Sequence, residues 1–420
     1  MAGPDLSGTI GAVWRIESAR VIGSLTRMLR DVGLAEEFAQ DALVAALEQW
    51  PRRGVPDNPG AWLTTAAHNR ALDHLRRQRM LERKHRLLDD VADPAMDERP
   101  PENNVEQGPI DDDVLRLMFV ACHPALPPEG RSALTLRLLG GLTTAEIARA
   151  FLVPQPTIAQ RIVRAKKTLR EAQVAFELPA HEDLPGRLAS VLEVIYLIFN
   201  EGYAATAGEQ WMRPALCEEA LRLGRILAEL SSQQAEVHGL VALMELQASR
   251  LGARVTGAGD PILLVDQNRA RWDQLLIGRG LAALARGQAL GARGPYLLQA
   301  AIAACHARAA SAEQIDWRAI AALYQELVAL TDSPVVELNR AVAVSMCQGP
   351  AVGLAIADRL DAQGTLRSYH LLPSVRADFL EKLGRAPEAR REWARAASLT
   401  HNEREQRLLL ERAERLRGES

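Results

Sequence analysis

Apolar residues recur along most of the chain at the three- and four-residue steps of an α-helix. In the stretch "PTIAQRIVRAKKTLRE", Ile158, Ile162, Ala165 and Leu169 form one apolar stripe, and polar residues occupy the other sides. Long runs rich in Ala, Leu, Arg and Glu favour helix elsewhere. The chain is therefore predicted to be all-α.

Two capped helices separated by a short turn are predicted around this stretch. Thr143 followed three residues later by Glu146 is a capping box that starts the first helix. The prolines of the turn "LVPQP" stop that helix, and Thr157 with Gln160 forms a second capping box. The second helix is thus expected to begin at about Thr157, an arrangement typical of a helix-turn-helix.

The second of these helices is strongly basic, although the formal net charge of the chain is -3. Up to residue 170 it has no acidic residue, and its positive side chains are Arg161, Arg164, Lys166, Lys167 and Arg170. One interpretation is a solvated basic face on an ordinary helical hairpin. The other, favoured by the short turn between two capped helices, is a recognition helix in the DNA major groove, where Gln and Arg can make bidentate contacts to base edges. The outward residues of its first two turns are Thr157, Gln160, Arg161 and Arg164.

Charge divides the first part of the chain into modules. Residues 70–86 are mainly basic, and the segment that follows is acidic and contains four prolines that interrupt any helix. A flexible acidic linker is therefore predicted over residues 89–110. The predicted domains on its two sides are residues 1–88, residues 111–178 and, after the break "ELPAHEDLPG", a helical region over residues 179–420.

Composition and residue spacing argue against a β-rich fold, an enzyme and a membrane protein. Aromatic residues make up 4% of the chain, which argues against a β-rich fold, and 420 residues favour two or three domains. The four cysteines lie far apart, and the sequence shows neither metal-ligand spacing nor a catalytic Ser/His/Asp or Cys/His pattern. We therefore expect no enzymatic activity, no cofactor and no metal. The N-terminus lacks a secretory signal pattern, and the most apolar run, "LASVLEVIYLIFN", contains Glu193 and is too short to span a membrane. A cytoplasmic protein without membrane attachment is expected.

The stretch "AWLTTAAHNRALDHLRR" carries a family resemblance. Together with the acidic linker and the helix-turn-helix, it resembles the extracytoplasmic-function (ECF) sigma factors of bacterial RNA polymerase, since Trp62, Asn69, Asp73 and Arg76 match at that family's spacing. The resemblance covers about residues 10–178. It implies a sigma region 2 helical bundle, a region 4 helix-turn-helix, and the function of directing core RNA polymerase to specific promoters for transcription initiation.

The resemblance implies roles for residues of the first module. An acidic amphipathic helix from about Ala35 to Trp50 would dock on the clamp helices of the polymerase's largest subunit, through Glu37, Gln40, Asp41 and Leu43. The loop "PRRGVPDNPG" would hold a flipped-out base of the minus-ten promoter element. The residues implied in minus-ten DNA binding are Asp57, Asn58, Trp62, Asn69, Arg70, Arg76 and Arg77. Trp62 could equally pack only in the core, and Asp73 is expected to be an ion-pair partner and not a DNA reader.

The second module would read the minus-thirty-five element and contact the flap of the second-largest subunit. By resemblance its DNA-binding residues are Thr157, Gln160, Arg161, Arg164 and Lys167. The sequence departs from the commonest family pattern, in which a glycine precedes the recognition-helix threonine and a lysine-serine pair follows it. Pro156 and the pair Ala159-Gln160 stand in those places, so base preferences do not transfer from better-known relatives.

The region after residue 178 resembles a subgroup of these sigma factors with a fused domain of tetratricopeptide-like repeats. The stretches "YLIFNEGYAAT", "SPVVELNRAVAV" and "RADFLEKLGRAPEAR" carry this resemblance. In the best match to the repeat, the predicted packing residues are Ala377, Leu380, Gly384, Ala389, Trp393 and Ala396. A looser match begins at Trp317 and passes through Ala321 and Tyr324. Residues 200–203, "NEGY", are either a functional motif or a helix end with Tyr203 in the core.

Two explanations compete for this long extension. It is either a regulatory surface that binds a protein or peptide and replaces a separate anti-sigma factor, or an intramolecular brace that activity requires. For the whole chain, the alternative is a helix-turn-helix transcriptional regulator with a repeat-containing sensor domain. The first module separates the two classes, because a conventional regulator has no use for a polymerase-docking helix beside a basic single-strand path.

Overall fold

The computed structural model describes residues 6–89, 110–151, 153–204, 207–208, 211–257 and 260–417. These residues are mostly helical, and the strands among them are two residues long, so the predicted all-α class is confirmed. The predicted acidic linker falls on residues outside the described ranges, apart from its two ends.

The chain divides into two compact units, residues 1–194 and 195–420. The helix α8 (Leu184–Tyr203) begins in unit 1 and continues into unit 2. The domain bounds predicted from the sequence stay a prediction. The other helices of unit 1 are α1 (Leu6–Leu29), α2 (Val32–Arg53), α3 (Pro59–Asp89), α4 (Ile110–Ala121), α5 (Pro128–Leu138), α6 (Thr144–Phe151) and α7 (Gln155–Glu171).

The first three helices of unit 1 form a bundle because each has a buried apolar or small-residue stripe. α1 packs against both α2 and α3, and α2 packs against α3. Alanines three or four residues apart on α2 are buried, which lets the neighbouring helices approach closely. Buried residues of this bundle include Ile22, Leu25, Ala35, Ala39, Ala42, Ala46, Leu63, Ala67 and Ala71.

The last helices of unit 1 form a second cluster in which α7 packs on both α5 and α6. The stripe of Ile158, Ile162, Ala165 and Leu169 is buried, as its spacing predicted. The first half of α8 is fixed to the same cluster. The Arg131 guanidinium on α5 donates to Ser190 Oγ at 2.6 Å and pairs with Glu193 at 3.0 Å.

Unit 2 is a succession of helices, and each helix from α12 onward packs on the next. They are α9 (Pro214–Leu230), α10 (Ala235–Ala248), α11 (Gln274–Ala289), α12 (Pro295–Arg308), α13 (Trp317–Thr331), α14 (Pro334–Gln348), α15 (Pro350–Gln363), α16 (Leu371–Lys382), α17 (Ala386–Leu399) and α18 (Glu403–Arg415). Short 3-10 helices span Leu251–Ala253, Leu264–Asp266, Arg269–Arg271 and Ala312–Gln314. The strands β1 (Ala207–Gly208) and β2 (His401–Asn402) pair in parallel.

Five of the six packing positions of the best predicted repeat are buried, and the sixth, Gly384, is exposed. Ala377 and Leu380 on α16 share a core with Ala389, Trp393 and Ala396 on α17, and Gly384, at φ 73°, lies in the turn between the two helices. The looser match, which ends near Ser333 and Pro334, covers α13 and reaches the first residue of α14. Pairwise helix packing of this kind is typical of helical repeats. The identity of the repeat as tetratricopeptide-like stays a prediction.

None of the helices in the described ranges combines the length and apolar character that a membrane span needs.

Candidate functional site

The predicted helix-turn-helix is formed by α6 and α7. The capping box at the start of α6 is confirmed: Thr143 N donates to Glu146 Oε2 at 2.8 Å, and Glu146 N donates to Thr143 Oγ1 at 3.1 Å. The same carboxylate accepts from Arg15 Nη2 on α1 at 2.6 Å. The cap thus also ties the start of α6 to the first helix of the chain.

The capping box predicted at Thr157 and Gln160 is wrong. α7 begins earlier, at Gln155, its N-cap residue is Pro154, and no side chain caps it. The reason is Pro156, whose fixed φ and missing N–H suit the first turn of a helix. Thr157 therefore lies inside that turn, where its N–H donates to the Pro154 carbonyl at 2.9 Å.

The residues predicted to read DNA lie on the outward side of α7. Gln160, Arg164 and Lys167 are exposed, and Thr157 and Arg161 are half-buried. Lys167 pairs with Glu171 at 3.5 Å, but both side chains are well exposed, so this pair is weak. The Arg161 and Arg164 guanidiniums have no ion-pair partner among the described residues. They are available to a ligand.

Two other positive side chains of α7 are held by acidic residues at the start of α2. Glu36, 5% exposed, accepts from Lys166 Nζ and from Arg137 Nε, the latter at 2.6 Å. Asp31, the N-cap of α2, accepts from Arg170 Nε at 3.0 Å. We call the Glu36–Lys166 and Asp31–Arg170 contacts the α2–α7 ion pairs. They leave fewer free cations on α7 than the sequence indicated.

The charges around Glu36 also determine its pKa. Burial acts to raise the pKa of this carboxyl, but the charges and hydrogen bonds of Lys166 and Arg137 outweigh burial and lower it below 4.5. A lowered carboxyl pKa contributes stability that is present above pH 4.5 and is lost as the pH falls through the folded-state value. Acid should therefore weaken the attachment of α7 to α2.

The outward side of α2 combines acidic and apolar residues. Glu37 and Asp41 are exposed, and Gln40 and Leu43 are half-buried. The helix begins at Val32 and ends at Arg53, so it is longer at both ends than the predicted Ala35–Trp50. Sequence reasoning missed two apolar side chains here, although helical spacing from Asp41 and Leu43 could have found them. Val44 is 51% exposed and Leu47 is 43% exposed.

The loop between α2 and α3 is shorter than the predicted loop "PRRGVPDNPG", because residues 51–53 belong to α2 and α3 starts at Pro59. Asn58 Oδ1 accepts from Ala61 N at 3.0 Å and so caps α3, which leaves its Nδ2 group free of that bond. Asp57 is exposed. Trp62 is half-buried and meets Trp50 edge-to-face, with ring centroids 5.4 Å apart.

The remaining predicted residues follow α3. Asn69, Arg76 and Arg77 are exposed, and Arg70 is half-buried. The Nη1 atom of Arg70 is buried and has no acceptor among the described atoms. Asp73 pairs with Arg76 at 3.4 Å, the local ion pair that was expected. No group of His, Cys, Asp and Glu in the described ranges is arranged to hold a metal ion.

Comparison with known proteins matches two parts of unit 1. Residues 15–80 match the family Sigma-70 region 2, and residues 116–169 match Sigma-70, region 4. The ECF RNA polymerase sigma factor SigK of Mycobacterium bovis is 34% identical over 157 residues, which cover 36% of this chain and 79% of SigK. SigK of Mycolicibacterium vanbaalenii is 30% identical over 158 residues, 36% of this chain and 76% of that protein. The chain belongs to the ECF RNA polymerase sigma factor family.

ECF sigma factors are transcription initiation factors that direct RNA polymerase to promoters, and they are not enzymes. The matched region 2 contains all residues predicted for docking and minus-ten binding, and the matched region 4 contains all five predicted for minus-thirty-five binding. The matches assign no role to single side chains, so those roles stay proposals.

The extension beyond the sigma regions has relatives of its own. A protein of Rhizobium meliloti described as "Uncharacterized protein R00370" is 43% identical over 385 residues, 91% of this chain and 90% of that protein. Residues 187–288 match a family of unknown function, DUF6596. No solved structure matches the chain.

Proposed function

We propose that this ECF sigma factor binds core RNA polymerase in the cytoplasm through α2, holds the minus-ten element with the α2–α3 loop and α3, and reads the minus-thirty-five element with α7. Unit 2 regulates this activity in place of a separate anti-sigma factor. The observation that carries the proposal is the pairing, in one three-helix bundle, of an exposed acidic and apolar face on α2 with an exposed basic face on α3. A helix-turn-helix regulator with a sensor domain has no need of such a bundle.

Docking through α2 is supported by its surface. Exposed apolar side chains surrounded by charge are typical of protein interfaces, because the apolar centre is desolvated on binding and the charges set orientation. Val44 and Leu47 supply such a centre, and Glu37 and Asp41 supply the charge. We assign the clamp helices of the largest subunit as the partner of this face, and the flap of the second-largest subunit as the partner of region 4.

Minus-ten binding is supported by the order of groups from the loop into α3. Asp57 and the Nδ2 group of Asn58 would hydrogen-bond an extruded base, beside the half-buried ring of Trp62. Asn69, Arg70, Arg76 and Arg77 would then follow the single-strand backbone, where positive charge and aromatic surface act together. Trp50 holds the Trp62 ring by edge-to-face packing, so packing and base contact are compatible roles for Trp62.

Regulation by unit 2 is supported by three hydrophobic cores that consist of residues of unit 2. A domain with its own cores can present a binding surface to a ligand. The alternative, a brace that activity requires, predicts a different response to partners and is separated by the transcription test below.

The proposal is tested by transcription with core polymerase that lacks any initiation factor. Fragmented genomic DNA serves as template, and the 5′ ends of the transcripts are sequenced. We expect a small set of start sites that share upstream elements and that require this protein. Specific duplex binding by the free protein, without any new transcript, would instead indicate a conventional regulator. A transcript yield that changes when cell extract free of other sigma factors is added supports a regulatory surface, whereas a yield that the extract leaves unchanged supports a brace that needs no partner.

Base reading by α7 gives a second test. Arg161→Ala is expected to reduce discrimination among minus-thirty-five sequences by about 1–3 kcal/mol, because a bidentate base contact is lost. Lys167→Ala, at an exposed position on the same helix, is expected to weaken binding of all sequences equally. Transcript yields from a library of minus-thirty-five variants measure both effects. An equal loss on all sequences for Arg161→Ala would show that this side chain contacts only phosphate.

A further inference from the structure

A cavity of about 300 Å³ lies within unit 2. Its walls come from the end of α8, the segment after α10, and the helices α16, α17 and α18. Tyr203, the last residue of the "NEGY" stretch, is not a fully buried core residue: it is half-buried and lines this cavity. The volume is at the lower end of the range for small-molecule sites, and the walls are concave and mainly apolar.

The most unusual wall residue is Arg254, which is only 9% exposed. Its Nη1 group donates to the Tyr203 carbonyl, and its guanidinium carbon lies 3.5 Å from the centroid of the Tyr203 ring. Burial lowers the pKa of Arg254 from its usual value, and the nearby Arg250 charge acts in the same direction. A buried guanidinium of this kind normally has an anionic partner, because removing its charge from water is costly.

Two further arginines face the same space. Arg250 donates to the Tyr203 hydroxyl at 2.8 Å, and Arg412 on α18 lies 4.8 Å from the Trp393 ring centroid. Among the described residues, no carboxylate lies within ion-pair distance of Arg250, Arg254 or Arg412. Within the part of the chain that the structure describes, the three guanidiniums of the lining therefore lack a paired carboxylate.

The one carboxylate among the described lining residues is engaged elsewhere. Glu405 accepts from His370 Nε2 at 3.1 Å and from Thr400 Oγ1 at 2.5 Å. These bonds turn the carboxylate towards groups other than the three guanidiniums. The positive charge in the lining consequently remains available to an incoming anion.

A buried acceptor lies in the same lining. Gln267 is 9% exposed, and its Nε2 group donates to the Ile262 carbonyl at 3.2 Å. Its Oε1 atom is buried and has no donor among the described atoms. Because an unpaired buried amide oxygen is costly, this atom indicates a donor on a bound molecule.

The aromatic side chains indicate the shape of that molecule. Tyr203, Trp211 and Trp393 line the cavity together with Leu and Ile side chains. Flat rings and guanidinium planes favour a planar apolar body between them. A guanidinium can hold a carboxylate or phosphate with two parallel hydrogen bonds.

We propose that this cavity binds a small organic anion, with a carboxylate or phosphate held by Arg254, Arg250 and Arg412, a planar apolar body between the aromatic rings, and a donor group for Gln267. This site goes beyond the proposed promoter function and does not rest on it, because every lining residue belongs to unit 2. It includes part of the DUF6596 match, residues 187–288, together with α16–α18.

The test is calorimetric titration of the full-length protein with benzoate and with phenyl phosphate. Because benzoate and phenyl phosphate are small ligands, each is expected to bind with a dissociation constant of about 1 mM. Benzamide, which has the same ring without the charge, and inorganic phosphate, which has the charge without the ring, are expected to bind at least about 10-fold more weakly. Binding should also raise the unfolding temperature, and the increase should continue as the ligand concentration rises above the dissociation constant.

Variants locate the binding in the cavity. Arg254→Gln and, on α18, Arg412→Gln are each expected to weaken benzoate or phenyl phosphate binding by about 10- to 100-fold. Arg359→Gln, at an exposed position on α15, is the matched control and should bind as the wild type does. Arg412 is more exposed than Arg254, and its contact with the described residues is the stacking on Trp393, so its variant keeps the test valid if Arg254→Gln unfolds.

Several results would overturn the proposal. The first is that neither benzoate nor phenyl phosphate binds. The second is that benzamide or inorganic phosphate binds as tightly as they do. The third is that Arg412→Gln binds the two aromatic anions as tightly as the wild-type protein does. A pentapeptide ending in phenylalanine that binds at least about 10-fold more tightly than benzoate would show that the site takes a chain end and not a small anion.

Discussion

Val44→Asp is expected to lower promoter-specific transcription by core polymerase about 100-fold, because it places an unpaired charge in the desolvated centre of the proposed docking face. Val44 is 51% exposed on α2, so the substitution leaves no cavity in the bundle and adds no buried charge to the free protein. The loss should appear both in transcript yield and in direct binding to core polymerase. Binding of the free protein to duplex DNA should be unchanged.

The matched control for this prediction is Val352→Asp on α15, where the valine is 41% exposed. It makes the same chemical change on unit 2 and should retain full transcription. Thermal unfolding of both variants checks that neither loses its fold. If Val44→Asp transcribes at the wild-type level, α2 does not dock through this face, whatever the family membership implies.

Local signals in the sequence predicted the helices well. The stripe on α7 and the Thr143–Glu146 capping box depend on residues three or four positions apart, and both are present. The Thr157–Gln160 capping box failed for an equally local reason. Pro156 suits the first helical turn, so α7 starts at Gln155 and no capping side chain is used.

Contacts between distant parts of the chain could not be predicted from spacing. Glu36 and Lys166 are separated by 130 residues, and a single sequence holds no signal that pairs them. The same limit applies to the cavity in unit 2 that Arg250, Arg254 and Arg412 line, whose walls come from segments near residues 203, 254 and 412. The sequence predicted Tyr203 as core or motif, and only the fold places it against Arg254.

The α2–α7 ion pairs change the interpretation of the basic helix. Five positive side chains would give a free protein appreciable affinity for any duplex, since each phosphate contact adds to binding. Lys166 and Arg170 are instead held by Glu36 and Asp31, on the helix that is proposed to dock on polymerase. Free protein should therefore bind DNA weakly. Lys166 and Arg170 should become available to DNA when the α2–α7 ion pairs break.

Glu36→Gln combined with Asp31→Asn is expected to release Lys166 and Arg170 and so tighten non-specific duplex binding by the free protein. Two additional phosphate contacts should steepen the slope of log K against log salt by about 1.8, a gain on the order of 50-fold at 0.1 M salt. Gln keeps the shape of Glu, and Asn caps a helix as well as Asp does, so α2 should still begin at Val32. Fluorescence anisotropy over a salt series measures the slope, and thermal unfolding checks the fold.

Glu37→Gln with Asp41→Asn is the matched control, because it removes the same charge from exposed positions of α2 that do not contact α7. Any slope change in that control reflects net charge alone. If both double variants give the same slope, the ion pairs do not restrain the basic helix, and its weak binding comes from the acidity of the whole chain.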